Sequence, residues 1–160
     1  MSDVWRAFEW IVRNATRFTD APPIVEAQHP FDVRNIHPAL PGIVKSLFDS
    51  THYAQATFEA FKFLDNEIKR HSGLDKTGKQ LMMAALSEVS PLVQLAPLTT
   101  DSGRNEQEGY KFIFAGSMMA IRNPRGHEHS LVDDIDTCLD HLTLVSQLLR
   151  RLAQAGYSTL

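Results

Sequence analysis

The chain has 160 residues, of which 43% are hydrophobic, 22% charged and 9% aromatic, a mix that excludes a disordered or fibrous protein and predicts one folded domain over residues 1–160. A chain of this length hides roughly 70% of its extended surface and needs no disulfide framework, and its single cysteine, Cys138, forms no intrachain disulfide. Sixteen Lys and Arg against 19 Asp and Glu give a formal charge of −3, which excludes coating of nucleic acid through bulk charge and leaves room for a local basic site.

Residues 2–18 place Val4, Trp5, Phe8, Ile11, Val12, Ala15 and Phe18 on one helical face, with Ser2 or Asp3 able to cap the start. Trp10 falls on the opposite, charged face, where either a covering loop or a partner surface is expected. The acids in this segment are unlike the basic stretch and apolar block of a signal peptide. No apolar run approaches the roughly 18 residues of a membrane span, so a soluble, cytoplasmic protein is expected. Prolines at 22, 23, 30, 38 and 41 make residues 19–41 an extended connector into a short helix ending near Asp49.

From His52 to Arg70, Tyr53, Ala56, Ala60, Phe61, Leu64 and Ile68 recur at helical spacing, and Gly73 stops the helix. Glu67 projects into this apolar stripe, where a carboxylate needs a partner; it is expected to be buried and to pair with Arg122 or accept a proton from His127. A further helix covers Thr77–Ser87, and Ser90–Gly103 is read as holding a short hairpin. Arg104–Ile121 is apolar nearly all round from Tyr110 onward, which predicts the centre of the fold or of a homodimer. The last helix, Val132–Ala155, has Asp133, Asp134 and Asp136 at its start and Arg150 and Arg151 near its end, matching the helix dipole. The class is therefore all-α, an antiparallel helical bundle with an extra N-terminal helix.

Three constellations can be weighed for chemistry. Gly73-Leu-Asp-Lys-Thr-Gly-Lys-Gln80 matches a phosphate loop through the lysine, but Gln80 stands where magnesium needs Ser or Thr. The segment also follows a helix instead of a strand, so a turn between two helices explains it. His127, Glu128 and His129 with Asp133 and Asp134 are metal-accepting residue types in no recognised ligand spacing, and no metal or cofactor is assigned. Arg122-Asn-Pro-Arg-Gly-His127 closes the apolar helix, and Pro124 and Gly126 predict a turn that displays Arg122 and His127. A guanidinium grips phosphate through two parallel hydrogen bonds and an imidazole moves protons near neutral pH, a pairing suited to phosphodiester chemistry.

Arg, a polar residue, and His with four residues between Arg and His form the signature of HEPN domains (higher eukaryote and prokaryote nucleotide-binding). The wider pattern resembles the Ymh-like branch of that superfamily: Ile36-His37-Pro38, Leu47-Phe48, His52-Tyr53, Ala60, Gly78, Leu81-Met82 and Phe114-Ala115-Gly116 precede Arg122-Asn123-Pro124 and His127 in order. The resemblance covers about residues 36–150. Residues 1–35 form an N-terminal helix and connector outside it, and 36–155 form the family core.

The resemblance implies a helical bundle, commonly a two-fold homodimer whose signatures share one cleft, and a metal-independent endoribonuclease of an antiviral defence or toxin-type system. Arg122 would neutralise the scissile phosphate, His127 would serve as general acid or base for attack by the ribose 2′-hydroxyl, and Asn123 would orient one of them or the phosphate. The product would be a 2′,3′-cyclic phosphate, and the choice of RNA over DNA follows from the nucleophile. Toxins of this fold that pair with a nucleotidyltransferase antitoxin often have Tyr two residues after the His. Here His129 stands at that position, so control by tyrosine modification is not implied and His129 is a candidate to supplement His127. A regulatory or antitoxin partner protein is compatible with such systems, and no membrane partner is expected. The alternative is a non-catalytic HEPN binding or assembly module. A DNA-binding regulator lacks support from the charge or from any basic helical stripe.

Overall fold

The computed structural model describes residues 3–19, 28–128 and 130–159, and among these residues all regular structure is helical. In chain order the elements are α1 (Asp3–Thr19), α2 (Pro30–Val33), α3 (Gly42–Asp49), α4 (Tyr53–Ser72), α5 (Gly78–Ala85), α6 (Asp101–Ser117), a π-helical turn (Met118–Arg122), α7 (Asn123–His127) and α8 (Ile135–Gln154). The all-α expectation holds, and the long helices begin and end within a few residues of where periodicity places them. Ser2, one of the two expected caps of α1, lies outside the described residues. No described helix is long and apolar enough to cross a membrane.

The helix at the centre is α4, which packs against α3, α5, the π turn, α7 and α8. Its Phe61, Leu64 and Ile68 are fully buried, and so are Leu142, Val145 and Leu149 of α8. Spacing of three and four residues brings each trio onto one stripe, and the two stripes share one core. Thr57 near the start of α4 donates to the Cys138 sulfur near the start of α8 at 3.6 Å, while His71 at the end of α4 meets the Tyr157 ring just past α8. These two helices therefore run in the same direction. The opposite course belongs to α6: Glu106 in its first turns pairs with Arg151 late in α8, and Arg125 beyond its end pairs with Asp133 before α8.

The sequence places the Arg104–Ile121 segment at the centre of the fold or of a homodimer, and in the single chain α6 lies to one side of α4. Phe114, Ala115 and Met118 face the core, whereas Phe112, Ile113 and Met119 are exposed. The polypeptide before α6 also departs from expectation, since residues 90–100 form turns and no hairpin. Gln107, fully buried on α6, explains this. Its Oε1 accepts from Leu95 N (2.7 Å) and Ala96 N (3.2 Å), and its Nε2 donates to the carbonyls of Leu86 (3.2 Å) and Val93 (3.1 Å). One side chain thus meets the backbone groups that a strand ladder would otherwise satisfy.

Between α4 and α5 the chain reverses as the glycines allow. Gly73 ends α4 at φ 69° and Gly78 opens α5 at φ 57°, left-handed conformations that favour glycine. The segment resembling a phosphate loop is therefore a helix stop, a turn and a new helix start.

Candidate functional site

Pro124 has no amide proton and its ring crowds the carbonyl four residues back, which is why the sequence predicts a turn here. The chain instead stays helical through His127, with Asn123 in right-handed helical conformation. The π turn resolves the conflict. Asn123 N–H donates to the Met118 carbonyl five residues back, the backbone slips by one residue, and Pro124 falls in the first turn of α7, where proline is tolerated.

Arg122 is the last residue of that turn and is half-buried. Its guanidinium lies 5.3 Å from the centre of the Phe58 ring on α4, and its Nη1 donates to Asn123 Oδ1 at 3.2 Å. The Nε is buried without a hydrogen-bond partner. Among the described residues no carboxylate oxygen lies within 4.0 Å of Arg122. The side chain borders a cleft of about 450 Å³ whose other walls are Thr77, Gly78, Lys79 and Gln80 of the α5 start, Met119 and Asn123. The fold thus brings the discarded phosphate-loop segment to the side of the Arg122 signature.

His127 is exposed at the end of α7. Phe58 links the two parts of the signature: it carries the Arg122 guanidinium, and a Cβ added to Gly126 would stand 2.8 Å from its Cε2. The next segment is anchored by Arg125, whose Nε and Nη2 donate to both Asp133 oxygens at 2.6 Å with side chains only 7% and 5% exposed. Its Nη1 also donates to the Ile121 carbonyl at 2.8 Å. Asp134 caps α8 by accepting from Thr137 N at 2.7 Å. Asp133 and Asp134, two of the three acids weighed as metal ligands, therefore have other partners, and among the described residues no group of three His, Cys, Asp or Glu converges. Burial pushes the Cys138 thiol up to about 11, which keeps it protonated and inert as a nucleophile.

Glu67 is buried as expected, but its partner differs. Arg70 reaches it at 2.6 Å and His71 at 3.9 Å, and both side chains also contact the Ser158 carbonyl. Arg70 and His71 thereby tie α4 to the C-terminal segment, and the pairing of Glu67 with Arg70 is local, since i and i+3 side chains on a helix meet without any tertiary requirement. His129 lies outside the described residues.

The acid near Arg122 is Asp65, which the sequence reading missed. It is 3% exposed and accepts from Gly78 N at 2.7 Å, tying the start of α5 to α4. Burial raises its carboxyl above the usual range, against the lowering pull of the Gly78 amide and the Arg122 charge. The signal was present: Phe58, Phe61, Asp65 and Ile68 share one face at spacings of three and four, so an acid stands in a second apolar stripe.

A family profile described as "Protein of unknown function (Hypoth_ymh)" matches residues 34–152. No curated protein and no solved structure matches the chain. The matched stretch takes in α3 to α7 and nearly all of α8, with every residue of the Arg122 to His127 signature, and leaves α1 outside. On that extent, the chain belongs to the Hypoth_ymh family of proteins of unknown function.

Proposed function

We propose that this protein is a metal-independent endoribonuclease of the HEPN type, acting in the cytoplasm within a defence or toxin-type system. The observation that carries the reading is Arg122: a half-buried guanidinium without a carboxylate partner among the described residues, held on Phe58 and Asn123 at the edge of a cleft, five positions before an exposed histidine. A planar cation fixed from behind is suited to a phosphate that gains negative charge in the transition state. His127 moves the proton. The 2′-oxygen bonds to phosphorus as its proton leaves to a base, and the bond to the 5′-oxygen breaks as that oxygen takes a proton from an acid, leaving a 2′,3′-cyclic phosphate and a 5′-hydroxyl.

One histidine cannot be base and acid in the same step, and a second copy supplies the other. Gly109, Phe112, Gly116 and Met119 form an exposed stripe along α6 and the π turn that runs up to Arg122. An apolar stripe with glycines at two positions lets two such helices approach closely across a two-fold axis. Light scattering is expected to give a dimer mass, and a monomer at micromolar concentration removes the second copy from the mechanism.

The activity is tested by incubating the purified chain with mixed cellular RNA in EDTA and mapping the ends. Cyclic-phosphate ends that vanish in an Arg122→Ala, His127→Ala double variant are expected. RNA bound but left intact assigns the binding or assembly module instead, and full cleavage by the double variant places the site elsewhere.

A further inference from the structure

The Arg122 cleft has a second wall that the proposed chemistry does not use. Thr77, Gly78, Lys79 and Gln80 border it, whereas His127 does not. Groups on this wall therefore face what lies beside the reacting phosphodiester. Lys79 is exposed on the first turn of α5. Most described cations are neutralised by nearby acids: Lys62 by Glu59, Lys69 by Asp75, Lys111 by Glu88, Arg125 by Asp133. Neither Lys79 nor Arg122 has a carboxylate oxygen within 4.0 Å among the described residues, and the two border one cleft. In a chain of formal charge −3, two uncompensated cations around about 450 Å³ of concave space make a local anion site large enough for more than one phosphate. Asp65, the buried acid that feels the Arg122 charge, is enclosed by the fold and accepts from Gly78 N.

We propose that Lys79, with Thr77 and Gln80 on the same wall, forms a second phosphate subsite, so that the cleft holds two successive phosphates of a single RNA strand, one on Arg122 and its neighbour on Lys79. This rests on the ribonuclease reading only for the identity of the strand, and it makes Lys79 a positioning residue that fixes which phosphodiester reaches Arg122. The polar side chains of Thr77 and Gln80 suit the sugar-phosphate backbone and carry no base preference.

The test separates binding from cutting. The probe is a short oligothymidylate, which has the phosphates of RNA and lacks the 2′-hydroxyl nucleophile, followed by fluorescence anisotropy from about 50 to about 200 mM KCl. Each phosphate contact on a single strand contributes about 0.7 to the slope of log K against log salt, so Lys79→Ala is expected to make the slope shallower by about 0.7. Lys79→Arg keeps it, and Lys45→Ala, on a different cleft with Phe31 and Pro38, leaves it unchanged. On RNA, Lys79→Ala raises KM and retains kcat. A wild-type protein that never cuts RNA but shows the slope change ends the nuclease reading and leaves the subsite standing. A folded Lys79→Ala or Lys79→Gln chain with the wild-type slope overturns the subsite, as does a wild-type chain that fails to bind the probe at the lowest salt. A nucleoside diphosphate that competes as tightly as the oligonucleotide overturns the strand.

Discussion

Asp133→Ala is the most direct probe of how the fold holds its signature. The substitution leaves the Arg125 guanidinium, 7% exposed, without the carboxylate that takes two of its hydrogen bonds at 2.6 Å. Removing one partner of a buried pair costs about 3–5 kcal/mol, because the remaining charge stays out of water. For a chain of this size each kcal/mol moves the melting midpoint by about 2–4 °C, so thermal unfolding followed by circular dichroism is expected to fall by about 6–20 °C. Replacing both partners, Arg125→Met with Asp133→Leu, removes the stranded charge and is expected to recover most of that loss. The double variant separates stability from chemistry. The pair fastens the end of α7 to the segment before α8, and a displacement of about 1 Å at His127 is expected to slow cleavage by about 10²-fold in a chain that melts normally. An Asp133→Ala chain melting within about 2 °C of wild type, or a double variant less stable than either single, refutes the reasoning.

Within the proposed site, His127→Ala is expected to lower cleavage by about 10²- to 10⁴-fold with the melting curve unchanged. Arg122→Lys, which keeps the charge but loses the planar fork, falls nearly as far as Arg122→Ala, and Asn123→Ala keeps partial activity, all read by timed cleavage of one RNA. Asp65 holds its proton in the fold where the unfolded chain has released it, so stability falls as pH rises from about 3.9 to its raised folded value. Denaturant titrations across that window are expected to show a flatter profile for Asp65→Asn, whose amide oxygen still accepts from Gly78 N, whereas Asp65→Ala strands that amide and loses about 1–3 kcal/mol. Gly103→Ala drives a methyl into the Pro97 carbonyl, and because backbone and not a flexible side chain is in the way, a loss of about 1–3 kcal/mol is expected from the same titration.

The long helices were legible in the sequence because α4 and α8 each carry an apolar stripe at helical spacing, with Gly73 ending the first and Asp134 opening the second. The burial of Glu67 was legible for the same reason, since a helical wheel fixes direction. Its partner was not, because a wheel ranks faces and says nothing of which neighbour reaches the acid first; Arg70, three residues on, does. Around the site the local rules competed. Pro124 argues for a turn, and only the five-residue hydrogen bond from Asn123 to Met118 reconciles it with a helix. Residues 90–100 carry scattered Leu and Val around two prolines, and Gln107, outside that stretch, satisfies their backbone from the side. The meeting of Lys79 with Arg122 is wholly tertiary: it depends on how α5 lies against α6 and the π turn.

The π turn also makes the signature a matter of counting. A π turn is an α-helix with one residue too many, so removing any one residue between Met118 and Ile121 would leave the helix intact and restore its ordinary pitch. The residues downstream would keep their direction, because the wider turn is what accommodates the extra residue; a one-residue deletion in the ordinary turns of α6 would instead swing them by about 100° around the axis, the angle of a single residue. Only in that second case would Arg122 leave Phe58 and the cleft and Arg125 lose its line to Asp133, although no residue of the signature had changed. Chains related to this one that keep Arg, Asn and His but differ by one residue in α6 ahead of the π turn would then spell the same motif and aim it at a different wall.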